Sequence, residues 1–295
     1  MTMLLVPPLV DVLGLSTQLA RVDLRLIDCR FVLADATAGE SAFLASRIPG
    51  ARYAHLDRDL SDHARPASEG RHPLPSPEAF AKTLARWGIT PETQVVAYDD
   101  AGGALAAARL WWMLQWMGHR HAQVLDGGWT AWLAQGAPLD SRALSRSQDA
   151  DSLPAPMSTW LRRPEMLASA SNINERGQHV ALIDARAAER FRGDVEPLDP
   201  RAGHIPGAIN RPFAQNLSAG QFKGVEVLRS EWLALLDGRA AEQAIIYCGS
   251  GVTACHSALA LVHAGFSMPR LYAPSWSGWV SDASHGVETG PPELQ

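Results

Sequence analysis

The run Cys248-Gly249-Ser250-Gly251-Val252-Thr253-Ala254 joins a strand-like segment, Ala244 to Tyr247, to a helix-like one, Cys255 to Val262. A loop of this kind turns a cysteine sulfur out of a strand end and surrounds it with main-chain N–H groups. The following helix adds the positive end of its dipole. Both favour sulfur as an anion, the nucleophilic form. Gly249 and Gly251 allow the positive φ that lets several N–H groups converge on one point. Val252 and Thr253 complete the loop. The competing reading is a small packing cysteine at a strand end, since free cysteines are often buried.

The elements that must position this loop occur twice. Leu26-Ile27-Asp28-Cys29-Arg30 is echoed by Leu182-Ile183-Asp184-Ala185-Arg186, and Ile48-Pro49-Gly50-Ala51 by Ile205-Pro206-Gly207-Ala208. Val95 to Tyr98 parallels Ile245 to Tyr247, and Trp129-Thr130-Ala131-Trp132 parallels Trp276-Ser277-Gly278-Trp279. Four echoes in one order imply a duplicated domain. In each half β-branched runs alternate with helical stretches, which predicts α/β domains, each a mainly parallel sheet flanked by helices. The predicted boundaries are 5–140 for the first domain, 141–157 for a linker rich in Ser, Asp, Pro and Ala, and 158–290 for the second. Where the second half has Cys248, the first has Asp99, so only the second is expected to be active. The first half is longer by about eight residues near Asp59 to Leu74, a stretch that holds Asp62, His63 and His72. This insertion is either surface decoration or an arm that reaches the neighbouring site.

A chain of 295 residues suits about two domains. With 46% hydrophobic and 19% charged residues it can build an ordinary core. A net charge of −5 lacks the basic footprint of a nucleic-acid binder. No run of residues is long and apolar enough for a membrane helix, and the start of the chain lacks the basic region of a signal peptide. Three cysteines without a CxxC suit a reducing cytoplasm.

The duplicated units, the two Ile-Pro-Gly-Ala turns and the cysteine loop resemble the rhodanese family, and within it the two-domain 3-mercaptopyruvate sulfurtransferases. The resemblance runs from about Leu5 to Val280. It includes Trp111-Trp112, Leu125-Asp126-Gly127-Gly128, Gly203-His204 before the second turn, and Ser275-Trp276-Ser277. It implies that Cys248 takes a sulfur atom from a donor as a persulfide and passes it to an acceptor. The donor is 3-mercaptopyruvate or thiosulfate. The acceptor is cyanide, a low-molecular-weight thiol or a thioredoxin-like protein. No cofactor or metal is required. Members that prefer thiosulfate carry cations after the cysteine, whereas Gly249 and Ser250 are neutral, which favours 3-mercaptopyruvate. A thiosulfate sulfurtransferase and a non-catalytic sulfur carrier are the alternatives.

By the same resemblance Arg190, in its Arg-Phe context, binds the donor carboxylate. Arg201 is a candidate second arginine, although Glu196-Pro197-Leu198-Asp199-Pro200-Arg201 departs from the family spacing. Ser61-Asp62 and His72-Pro73-Leu74-Pro75 match a region in which Asp62 would orient His72 and His72 would polarise Ser250 as a proton relay. Pro274 and Gly278 stand where relatives show Gly and Glu, which predicts local reshaping. A phosphatase of similar fold needs arginine six places after the cysteine, where this chain has Ala254. Cys29 and Cys255 read as packing residues.

Overall fold

The computed structural model describes residues 6–143 and 157–291. They form two compact units. One takes the chain as far as Asp62 and then Pro75–Arg163; the other takes His63–Leu74 and the chain from Pro164 onward. Most of the predicted linker, 144–156, lies outside the described residues.

The first unit is built on a five-stranded parallel sheet. Its strands are β1 (Leu9–Val10), β2 (Leu24–Asp28), β3 (Arg52–Tyr53), β4 (Gln94–Tyr98) and β5 (Ala122–Leu125), in the order β1-β5-β4-β2-β3. The second unit has β6 (Leu182–Asp184), β7 (Ile209–Asn210), β10 (Ile245–Tyr247) and β11 (Arg270–Leu271), parallel in the order β11-β10-β6-β7. A single parallel bridge from Leu167 to Leu271 adds a chain where the first unit has β1. Strands β8 (Leu217–Ser218) and β9 (Gln221–Phe222) form a separate antiparallel pair. The central strands β4 and β10 are apolar and almost wholly buried, as parallel strands covered on both faces must be.

The sequence echoes become the same contacts twice. Asp28 pairs in register with Tyr98, and Asp184 with Tyr247. The N–H of Cys29 donates to Tyr98 O at 2.7 Å, and that of Ala185 to Tyr247 O at 2.8 Å. Each tyrosine hydroxyl in turn accepts the N–H that opens the Ile-Pro-Gly-Ala turn, from Ile48 at 3.2 Å and from Ile205 at 3.1 Å. Arg30 clamps Asp28 and stacks over Trp129 at 4.3 Å; Arg186 clamps Asp184 and stacks over Trp276 at 4.6 Å. Burial alone makes these ions costly, so pairing and stacking must keep them. At Arg186 burial opposes the charge, yet the attraction and hydrogen bond of Asp184 outweigh it and hold the guanidinium above its ordinary range. Among the described residues no helix is long and apolar enough to cross a membrane.

Candidate active site

Cys248 follows the last residue of β10, and the helix Thr253–His263 starts five residues later. The cysteine is buried and forms no disulfide. A second short helix, Ser275–Trp279, ties the loop from behind. The N–H of Trp276 donates to Cys248 O and that of Ser277 to Gly249 O, both at 2.9 Å. In trans peptides N–H and C=O point oppositely, so the N–H groups of Gly249 and Ser250 are turned away from that helix. Ser275 completes the brace: its Oγ accepts the Cys248 N–H at 3.1 Å and donates to Tyr272 O at 3.0 Å. It does so at φ +55°, a conformation that costs a non-glycine residue about 1–2 kcal/mol. Gly251, at φ +78°, uses the freedom that glycine has there, whereas Gly249, contrary to the expectation from sequence, does not take a positive φ.

The segment His63–Leu74 belongs to the compact unit that holds Cys248, although it precedes most of the first unit in sequence. It runs against the helix Ser275–Trp279. A side chain at Gly70, whose φ is +87°, would meet Pro274 O at 2.4 Å, and one at Gly278 would meet Ser68 O at 2.7 Å. Gly278 thus leaves room that a glutamate there would fill, because its side chain would collide with this segment. The segment brings two side chains to the loop. His72, buried, places Nδ1 2.8 Å from Ser250 Oγ, a hydrogen bond whose donor follows the ring tautomer. Arg71 is the other. Its N–H donates to Ser277 Oγ at 2.9 Å, and its Nη1 to Asp199 Oδ1 at 2.7 Å.

Arg190 stands beside Arg71. Its Nη2 donates to Glu196 Oε1 at 2.6 Å and to Asp199 Oδ2 at 3.3 Å. Both guanidinium groups lie over the residue after the cysteine: a Cβ on Gly249 would sit 3.3 Å from Arg190 Nη1 and 3.6 Å from Arg71 Nη2. Glu196 also accepts from Arg186, which links this cluster to the clamp on Asp184. The loop, Ser250, His72 and Arg190 thus come together. Arg201 turns elsewhere, its Nη1 donating to His285 O at 3.0 Å. Asp62 is half-buried and belongs to the first unit. Arg71, Asp199 and the bracing role of Ser275 are not evident from the sequence, where the adjacency of Arg71 to His72 is the one signal for Arg71.

The other thiols are packed away. Cys29 is wholly buried, and burial followed by the charge of Asp99 pushes its thiol far above the ordinary range. Cys255 is buried and donates to Gly251 O at 3.4 Å, bracing the loop from the helix. In the first unit Asp99 occupies the place of Cys248, with Trp129 N–H donating to its carbonyl at 2.8 Å. Its carboxylate accepts the N–H groups of Ala101, Gly103, Leu105 and Ala107 at 2.8–3.2 Å. Burial pushes this carboxyl up to about 6 despite those donors.

A strand-loop-helix unit with a buried cysteine at the strand end, duplicated with an aspartate in its place, defines a rhodanese-type α/β protein. The rhodanese-like domain model matches residues 14–135 and again 167–282. The chain belongs to that family and is an enzyme of the sulfurtransferase class. It is 46% identical over 281 residues to a Pseudomonas aeruginosa protein provisionally named 3-mercaptopyruvate sulfurtransferase, covering 94% of this chain and 96% of that one. It is 38% identical over 269 residues, 90% of each chain, to a Mycobacterium tuberculosis protein provisionally named thiosulfate sulfurtransferase. The crystal structure of a 3-mercaptopyruvate sulfurtransferase, SseA from Escherichia coli, superposes with a TM-score of 0.75 at 29% identity, over 92% of this chain and 99% of that one.

Proposed function

We propose that the second unit transfers sulfur from 3-mercaptopyruvate through a persulfide on Cys248, while the first unit is catalytically silent. The observation that carries this is the meeting at one loop of the cysteine, the His72–Ser250 pair and two guanidinium groups. The Cys248 thiolate attacks the donor sulfur. An S–S bond forms, the donor C–S bond breaks, and its electron pair leaves as the enolate of pyruvate. Ser250 Oγ supplies a proton to that enolate and His72 replaces it, the thiol proton of the donor balancing the step. A thiolate acceptor then attacks the outer sulfur: a new S–S bond forms, the S–S bond to Cys248 breaks, the acceptor leaves as its persulfide and the Cys248 thiolate returns. Asp62 is the group expected to orient His72. Loop N–H groups and the helix N-terminus stabilise the persulfide anion.

The neutral Gly249 and Ser250 favour the monocarboxylate donor. Thiosulfate, a dianion, is the second donor to test, as the name of the Mycobacterium tuberculosis relative suggests. Three cysteines, too few for a disulfide framework and none in a CxxC, suit the reducing cytoplasm. Side-by-side kinetics with cyanide as acceptor test the reading. We expect kcat/KM for 3-mercaptopyruvate to exceed that for thiosulfate by at least about tenfold, the scale of one lost charge-assisted contact. A higher value for thiosulfate would overturn the donor. His72→Ala should lower 3-mercaptopyruvate turnover about tenfold or more; a change within about twofold contradicts the relay.

A further inference from the structure

Three features of Arg71 point beyond the contacts expected from sequence. Its backbone is tied through Ser277 to Gly249, one residue from the cysteine. Its guanidinium converges with that of Arg190 on the place that a side chain at Gly249 would take. The carboxylate of Asp199, only 3% exposed, bridges the pair with one oxygen to each. Meanwhile Arg201 is committed to the His285 carbonyl. Accepting the donor proposed above, we propose that Arg71 is the second donor-binding arginine, forming with Arg190 a two-sided seat for the donor carboxylate in the position that resemblance gave to Arg201.

Charge balance then sets selectivity. Arg71, Arg186 and Arg190 face Asp184, Glu196 and Asp199, so the six side chains sum to zero. A neutral cluster admits a planar monocarboxylate through the paired donors of two guanidinium forks. It gives no net attraction to a second negative charge. Asp199 is thus a counter-charge that holds both arginines in place and disfavours a dianion. Gly249 belongs to the same design, because any side chain there would enter the space onto which both forks open.

The test is ping-pong kinetics of the full chain with 3-mercaptopyruvate as donor and uncharged 2-mercaptoethanol as acceptor, which separates the two half-reactions. Arg71→Ala should lower donor kcat/KM about 10- to 100-fold, chiefly through KM, while acceptor kcat/KM stays within about threefold. Arg71→Lys should recover part of the loss, and Arg201→Ala should cost less than Arg71→Ala. A purely structural role for Arg71 would depress both half-reactions alike. The inference is overturned by that result, by a donor KM within about twofold of the parent in Arg71→Ala, or by a larger effect at Arg201. Asp199→Asn tests the seat even if Arg71→Ala does not fold. It makes the cluster net positive, so the ratio of 3-mercaptopyruvate to thiosulfate kcat/KM should fall; an unchanged or higher ratio contradicts the seat. Failure of the underlying function looks different: the parent itself would not turn over 3-mercaptopyruvate.

Discussion

The two strand-end loops of this molecule solve one electrostatic problem in opposite ways. Each ends a central strand, each has its first carbonyl bound by the N–H of a tryptophan, and each precedes a helix. In the first unit a carboxylate of the chain itself fills the ring of N–H groups at Asp99. In the second a cysteine stands there, and the braces come from outside the loop: Ser275, Cys255 and the segment that carries Arg71 and His72. An anion-binding loop closed by its own aspartate is a finished structural joint. The same loop with a thiol is open to chemistry. Position 128 and its counterpart 275 sharpen the contrast. Gly128 takes φ +54° where a side chain would meet Asp99 O at 2.1 Å. Ser275 accepts the same conformation with a side chain and gains a hydroxyl under the Cys248 amide.

Making the second loop a copy of the first should have the largest effect. Cys248→Asp is expected to abolish sulfur transfer, by about a thousandfold or more in kcat, with the fold retained by circular dichroism. Residual activity near the parent would mean that the nucleophile lies elsewhere. Ser275→Gly copies only the brace. It relieves the positive-φ strain while removing one buried hydrogen bond to the loop, so donor kcat/KM should fall about tenfold with little change in Tm. A variant of parental activity would show that the Cys248 amide needs no such partner.

The smallest effect lies in the first unit and touches stability alone. The folded pKa of Asp99 is raised to about 6 by burial. A carboxyl in the unfolded chain titrates near ~3.9. The folded state therefore holds this proton more tightly, and Asp99 contributes most at low pH. That contribution is lost as pH rises from about 4 to about 6, amounting to about 3 kcal/mol. His119, whose pKa burial lowers to about 4, acts in the reverse sense over an overlapping range. Denaturation of Asp99→Asn beside the parent isolates the aspartate: the variant should gain stability relative to the parent across that window. A constant difference would show that the loop donors fully offset burial.

Much of this design is legible in the chain. The duplicated sheet shows because its pairings recur as residue types, an Asp and a Tyr in register in both units. The cysteine loop shows because small residues with two glycines have few other uses between a strand and a helix. The donor seat is much less legible. Arg71 lies in an insertion without a counterpart in the second half, and its partner choice depends on Gly70 and Gly278 letting the segment lie against a helix far along the sequence. Arg201 illustrates the converse. Its neighbourhood resembles the family pattern, but the altered spacing leaves Glu196 and Asp199 on the arginines and sends Arg201 to a carbonyl. Spacing fixes which residues are near; packing decides which of them face each other.

The most direct measurement is peptide mass mapping of the full chain after brief exposure to 3-mercaptopyruvate and removal of excess donor. One added sulfur atom on the peptide containing Cys248, absent from the Cys29 peptide and discharged by a thiol with release of that sulfur, is the predicted result. Turnover of the donor with Cys248 unmodified at every time point, or with the sulfur residing on Cys29 or Cys255, would contradict it.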